Sequence, residues 1–277
     1  MKYIVSRFFL IAVVMNSFLI AEAQKLPNIQ KSSIRAPEGV NINGKTNEWE
    51  HAYGGFNSNI FAFYTISNDD DYLYLVVHSA NQVITKKILS GGIVFTINTK
   101  KKSTDGAASI TYPVLGTEEF ENIVLKNSAL HSLRQAGDKD DEKTKAGILR
   151  INDSISREMD KKNLASFKVI GLTGIPQVPE RFISIYNDFG IEVGRQLLDS
   201  RTYNYELRIP LKYLGLSTFD EAPLFYNIKL PGTAINKGLP PLQLNGTTRP
   251  PLGEGGVDLR TLNSVSDFWG EYRLAKN

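Results

Sequence analysis

Tyr72-Leu73-Tyr74-Leu75-Val76-Val77-His78 is the stretch that decides the fold. Side chains alternate along a strand, so Leu73, Leu75 and Val77 share one face while Tyr72, Tyr74, Val76 and His78 share the other. Both faces are substantially apolar, which predicts a strand near the middle of a sandwich. A second aromatic and β-branched run, Ile60 to Ile66, precedes it. The turn-forming Ser67-Asn68-Asp69-Asp70-Asp71 between the two makes the pair a hairpin.

The same reading extends to both sides of the hairpin. Val40-Asn41-Ile42-Asn43-Gly44 alternates and ends in glycine, predicting a short strand that turns through Gly44-Lys45-Thr46-Asn47 ahead of Trp49. Gly92 to Asn98 and Ile110 to Pro113 read as strands flanking a charged turn at Lys100 to Asp105. Glu118 to Gln135 carries apolar residues near helical spacing, at Phe120, Ile123, Val124, Leu130 and Leu133, and predicts one helical insertion. Gly137 to Lys145 is a mixed-charge loop. Beyond it, Ala165 to Leu172, Arg181 to Tyr186, Ile191 to Leu198, Tyr203 to Ile209 and Leu224 to Leu230 read as strands. Asn187-Asp188-Phe189-Gly190 is a turn, Pro210 ends the Tyr203 strand, and Leu211 to Leu216 forms one helical turn closed by Gly215. Residues 231 to 266 are a long loop rich in Gly, Pro, Asn and Thr, held between Leu224 to Leu230 and a closing strand at Phe268 to Leu274. The fold class expected is therefore mostly β, an antiparallel β-sandwich with one helical insertion and a long loop before the last strand.

The amino terminus addresses the chain to export. Lys2 and Arg7 precede an apolar stretch from Phe8 to Ala21, and Ala21-Glu22-Ala23 is a small-x-small cleavage site. Residues 1 to 23 are thus expected to be a signal peptide, 24 to 36 a flexible lead-in, and 37 to 277 a single domain. No later run approaches the roughly 20 apolar residues that span a bilayer, so a soluble product without a membrane span is expected after cleavage. The chain has no cysteine. Disulfides, cysteine-ligated metals and an acylated lipoprotein cysteine are all excluded, leaving a free periplasmic or secreted protein as the expectation. With 32 Lys and Arg against 29 Asp and Glu, the charge is close to balanced, unlike the lopsided charge of most nucleic-acid binders.

Val40-Asn41-Ile42-Asn43-Gly44-Lys45-Thr46-Asn47-Glu48-Trp49 resembles the opening of family 9 carbohydrate-binding modules and the related DOMON-like sandwiches. Asp70-Asp71-Tyr72-Leu73-Tyr74-Leu75-Val76-Val77 is similar to their acidic turn and Leu-Tyr strand, and Ile93 to Asn98 to the strand that follows. Tyr205-Glu206-Leu207-Arg208-Ile209-Pro210-Leu211, with Leu214-Gly215-Leu216, resembles their Tyr-Glu-x-x-Ile-Pro strand and turn. The resemblance implies a two-sheet antiparallel sandwich, a sugar held between aromatic side chains, and in some members structural calcium. Haem-binding relatives use Met and His ligands, for which Met159, His51, His78 and His131 are the available residues.

A sugar's C–H face stacks on indole or phenol rings beside hydrogen-bonding groups. Trp49 and Trp269, the only tryptophans, sit in the opening and closing elements and are the first candidates for ligand binding. Tyr112 and Arg249 are the others. The alternative for each tryptophan is core packing, which weighs more heavily for Trp49. Asp69, Asp70 and Asp71 could offer oxygens to calcium, but successive side chains on an extended segment diverge, so a solvated hairpin tip is the better account. The three histidines show no metal spacing, and no nucleophile elbow or phosphate loop is present. Asn152 and Asn245 head Asn-x-Ser/Thr triplets, which matter only in a glycosylating host.

The expectation is an exported, non-catalytic, cofactor-free binding module for a carbohydrate or similar polar ligand. The alternative is a cell-envelope scaffold that binds a protein partner. A glycoside hydrolase with two facing carboxylates ranks third.

Overall fold

The computed structural model describes residues 26–49, 52–114, 161–162, 164–199, 201–232 and 259–276. The signal segment, the helix expected at Glu118 to Gln135, the charged run at Gly137 to Lys145, and most of the long loop lie outside these residues. So do Arg249, His51, His131, Met159, Asn152 and Asn245.

In chain order the elements are β1 (Gly55–Asn57), β2 (Ala62–Asn68), β3 (Tyr72–Ser79), α1 (Gln82–Gly91), β4 (Ile93–Asn98), β5 (Ala108–Tyr112) and β6 (Val169–Thr173). They continue with β7 (Phe182–Ser184), β8 (Glu192–Leu197), β9 (Tyr203–Pro210), β10 (Leu224–Leu230) and β11 (Ser266–Tyr272). Two antiparallel sheets, β1-β2-β3-β9-β8 and β11-β10-β4-β5-β6-β7, form a β-sandwich. β3 is the central strand of the first sheet, as its two apolar faces predict. Leu73, Leu75 and Val77 meet Phe95, Ile110, Tyr205, Leu207, Tyr226 and Ile228 in one core. β9 ends at Pro210, and the turn Leu211–Leu214 closes on Gly215 with φ 63, the left-handed conformation glycine adopts without strain. Among the described residues no helix is long and apolar enough to cross a membrane.

The other face of β3 explains its apolar residues. Trp49, Tyr74 and Val76 form a second cluster with Ala36, Val40, Ile42, Tyr53 and Tyr72. Residues 36–49, with Tyr53, thus lie as a third layer over the first sheet. Two expectations about this region are corrected. Val40 to Gly44 is not a strand: the amides of Asn43 and Gly44 both donate to Glu206 Oε2, whereas consecutive strand amides point to opposite sides. Gly44 has φ 82, and a Cβ there would collide with the Arg195 backbone. Nor are residues 26–36 a loose lead-in. Gln30 is buried, and its carboxamide both accepts from the Ile66 amide (2.8 Å) and donates to the Ile66 carbonyl (2.7 Å), standing in for a neighbouring strand. Arg35 then forms a parallel bridge with Asn68.

Helix α1, which carries the chain from the first sheet to the second, has no counterpart in the sequence reading. Asn81 caps it, Oδ1 accepting from Val83 N (2.9 Å) and Ile84 N (3.2 Å), and Val83, Ile84, Ile88 and Leu89 enter the core. Asn81→Ala removes that cap and is expected to cost about 1 kcal/mol. Chemical denaturation at neutral pH measures it; an unchanged midpoint would show that the cap contributes nothing. A smaller difference concerns Ala165 to Leu172, whose first residues are helical, so that β6 begins only at Val169.

Candidate functional site: a groove along the free edge of the second sheet

Among the described residues β11 is the last strand of its sheet, paired on one side with β10 and with no strand on the other. Phe268 and Tyr272 turn inward to the core, so Asp267, Trp269 and Glu271 turn outward. The carbonyl of Asp267 accepts from Asn59 Nδ2 (3.2 Å) and that of Arg273 from Ser33 Oγ (2.7 Å), so these positions direct their backbone polar groups away from β10. Residues in an antiparallel pair alternate in this respect, and Trp269 and Glu271 fall in the same set. Their amides and carbonyls therefore point toward the free edge.

Residues 29–33 run beside that edge and leave a groove of about 420 Å³ between themselves and β11, lined also by Lys102 and Pro223. This volume lies within the range of small-molecule clefts. One wall is fixed by Tyr272, whose hydroxyl lies 2.8 Å from both Ile34 O and Asn68 Oδ1 and shares its one proton between these two acceptors. Burial pushes that phenol up to about 12. Trp269 is half-buried and is one of the residues lining the groove. Gly270 beside it is fixed by packing, since a Cβ would collide with the Tyr226 ring. Three cations, Lys31, Lys102 and Arg273, line the groove with a single carboxylate, Glu271, which pairs with Lys102 at 3.0 Å. Arg273 is held by a bond from Nη1 to Glu221 O (2.6 Å). The groove thus offers one aromatic surface, exposed cations, and backbone donors and acceptors from a rigid strand.

Trp49 and Tyr112, the other expected residues within the described part, lie elsewhere. Trp49 is only 6% exposed, meets Tyr74 edge-on at 5.7 Å, and donates from Nε1 to Glu206 Oε1 at 2.8 Å. It lies in the third layer and does not join Trp269. Tyr112 has no exposed surface: its hydroxyl donates to Phe167 O (2.9 Å), its ring stacks on Tyr205 at 6.2 Å, and the Arg195 guanidinium lies 5.5 Å from its centroid. Neither ring is available to an external ligand without rearrangement. The acidic tip also diverges. Asp69 accepts from the amides of Asp71 and Tyr72 while Asp70 pairs with Arg35. Among the described residues no three His, Asp or Glu side chains are placed to share a metal ion. His78 is absorbed by packing, stacked on Tyr53 at 5.3 Å and bonded through Nδ1 to Asn204 Oδ1 at 2.6 Å.

The sequence reading passed over Glu206. It has no exposed surface and receives three N–H donors, from Asn43, Gly44 and Trp49. Burial pushes its carboxyl above the usual range, and the three donors pull only partly against that rise. Lys87, on α1, is likewise fully buried. No protein-family model matches the chain, and no curated protein matches it.

Proposed function

We propose that this chain is an exported binding module that takes a carbohydrate, or a similarly polar ring-shaped ligand, into the groove beside Trp269. The observation that carries this reading is the half-buried indole set among cations and outward-facing backbone groups on one edge strand. Apolar C–H faces stack on such a ring while hydroxyls bond to the groove's polar groups. The family resemblance of the strand motifs supports the same reading. Among the described residues the groove holds one carboxylate, Glu271, where glycoside cleavage uses a pair, and this favours the binding reading.

Screening the purified chain on a broad glycan array, followed by calorimetry, tests the proposal. Trp269→Ala is expected to weaken any glycan found at least about tenfold, in line with the roughly 1–3 kcal/mol that aromatic stacking contributes elsewhere. An array and calorimetry without signal, or a hit whose affinity survives Trp269→Ala, would remove the groove from consideration.

A second reading has its own observation: the backbone groups of Trp269 and Glu271 that face the free edge could pair with an added peptide strand, as in a protein-binding scaffold. Pull-down from the host separates the two. A protein partner recovered by a chain with no glycan affinity favours the scaffold.

A further inference from the structure

α1 turns a lysine into the protein. Lys87 follows Val83 by one turn and shares its buried face, with no exposed surface of its own. Among the described residues its Nζ donates to Ser266 Oγ, at 2.7 Å. Asp267, next to Ser266 on β11, accepts from Asn227 Nδ2 at 2.7 Å. An ammonium buried without a carboxylate is disfavoured relative to the neutral amine. Burial accordingly pushes Lys87 down to about 8.

Ser266 opens β11 opposite Leu230 and turns to the inner side with Phe268, away from Trp269. Unlike Lys87 it keeps partial contact with solvent. Gly232 packs on Gly91 at the end of α1, and the turn Leu259–Leu262 packs on the same helix. The arrangement is a partly exposed serine hydrogen-bonded to a shielded amine that, among the described residues, has no carboxylate partner.

We propose that Ser266 and Lys87 are a nucleophile and general base for acyl transfer, hydrolysing a carboxylic ester. Neutral Lys87 takes the Ser266 hydroxyl proton as Oγ bonds to the ester carbonyl carbon. The tetrahedral adduct then breaks its bond to the alkoxy group, which takes that proton from the Lys87 ammonium and leaves as the alcohol. In the second half, water attacks the acyl-serine carbonyl and gives a proton to Lys87. Lys87 returns it to Oγ as the acyl–Oγ bond breaks, and the carboxylic acid is released. Lysine suits both steps because its burial brings it near working pH, where a base can take and return a proton. At pH 7 about a tenth of the molecules would hold the neutral amine. This pair is independent of the groove reading, since it uses neither Trp269 nor the free edge.

The test treats the purified full chain with a fluorophosphonate probe from pH 6 to 10 and maps the adduct by mass spectrometry, with p-nitrophenyl acetate hydrolysis measured in parallel. Labelling of Ser266 is expected, with a rate that rises with pH and levels off above about 8. Ser266→Ala should abolish the adduct, and Lys87→Met and Lys87→Arg should each slow it at least about a hundredfold. An unlabelled Ser266 across that range, or a smaller slowing in the folded lysine variants, overturns the proposal. If a lysine variant does not fold, the wild-type profile decides, because a rate independent of pH overturns the proposal equally.

Discussion

Glu206→Ala is expected to lower the melting temperature by roughly 10 °C, since a loss of about 3 kcal/mol shifts a domain of this size by about 2–4 °C per kcal/mol. The side chain serves as the single acceptor for the Asn43 amide (3.0 Å), the Gly44 amide (2.6 Å) and the Trp49 indole (2.8 Å). Alanine would leave three donors buried with no acceptor, and each such donor costs about 1–3 kcal/mol unless water reaches it. Relief of the carboxylate's own desolvation offsets part of that loss, which is why the total expected is nearer the low end. The effect should be local first. Three of the layer's N–H groups converge on this one carboxylate, so Trp49 should become solvated and its fluorescence should move to the red. With only two tryptophans in the chain, a Trp269→Phe background isolates that signal. A melting temperature within 2 °C of the wild type, together with unshifted Trp49 emission, would show that the layer does not depend on this carboxylate.

The pH dependence of the same group has a definite sign. The folded-state carboxyl is pushed above its ordinary value of 4.5, so the folded protein takes up this proton at a higher pH than the unfolded chain does. Its unfavourable contribution is complete above the folded value and disappears as pH falls through that value to the unfolded one. Glu206→Gln lacks this dependence, and the difference between wild-type and Gln stabilities should therefore move in favour of the wild type on mild acidification.

How far the sequence speaks follows from how far apart the contacting residues are. Strand alternation is a local property, and β2, β3, β4, β9 and β10 were legible from it within a residue or two. Pro210 and Gly215 were legible for the same reason, since each acts on its own backbone. The third layer was not. Glu206 stands more than 150 residues from Asn43, Gly44 and Trp49, and an outer-face glutamate looks ordinary until something is known to cover it. One signal did point there: the apolar outer face of β3 required a cover, and the segment ending in Trp49 is apolar enough to supply one. α1 was hidden by its composition, because Val83, Ile84 and Thr85 are β-branched and resemble a strand. Asn81 before them and Gly91-Gly92 after them were the overlooked start and stop. Trp269 was singled out from its residue type, whereas the groove it lines needs residues 29–33 from the far end of the chain.

Lys87→Met is expected to raise stability at pH 7 by about 1–3 kcal/mol, an inverse of the usual result for a buried residue. Methionine nearly matches the volume of the lysine stem, so packing among Val83, Ile84 and Ile88 should survive. What is lost is an ammonium with no exposed surface whose partner among the described residues is the neutral Ser266. The sign comes from linkage. Burial lowers the folded-state value to about 8 from 10.5, so between those values the folded protein binds fewer protons than the unfolded chain, and wild-type stability rises with pH across that window. The penalty is complete below about 8 and gone above about 10.5, amounting at most to about 3 kcal/mol. Methionine carries no such penalty. The stability gap in its favour should be full at pH 7, shrink by pH 9 and close near pH 10.5; comparing the two chains at each pH cancels the tyrosine ionisations they share. Denaturant melts at those three pH values measure it. A lysine held for structural reasons would give the opposite sign, a Met variant less stable at pH 7. A residue that destabilises its own fold while its hydroxyl partner stays within reach of solvent is the pattern expected where chemistry is kept at the expense of stability. The same substitution therefore separates the two explanations: a stabilised chain that has lost Ser266 reactivity fits a catalytic base, and a destabilised one that keeps it fits a packing residue.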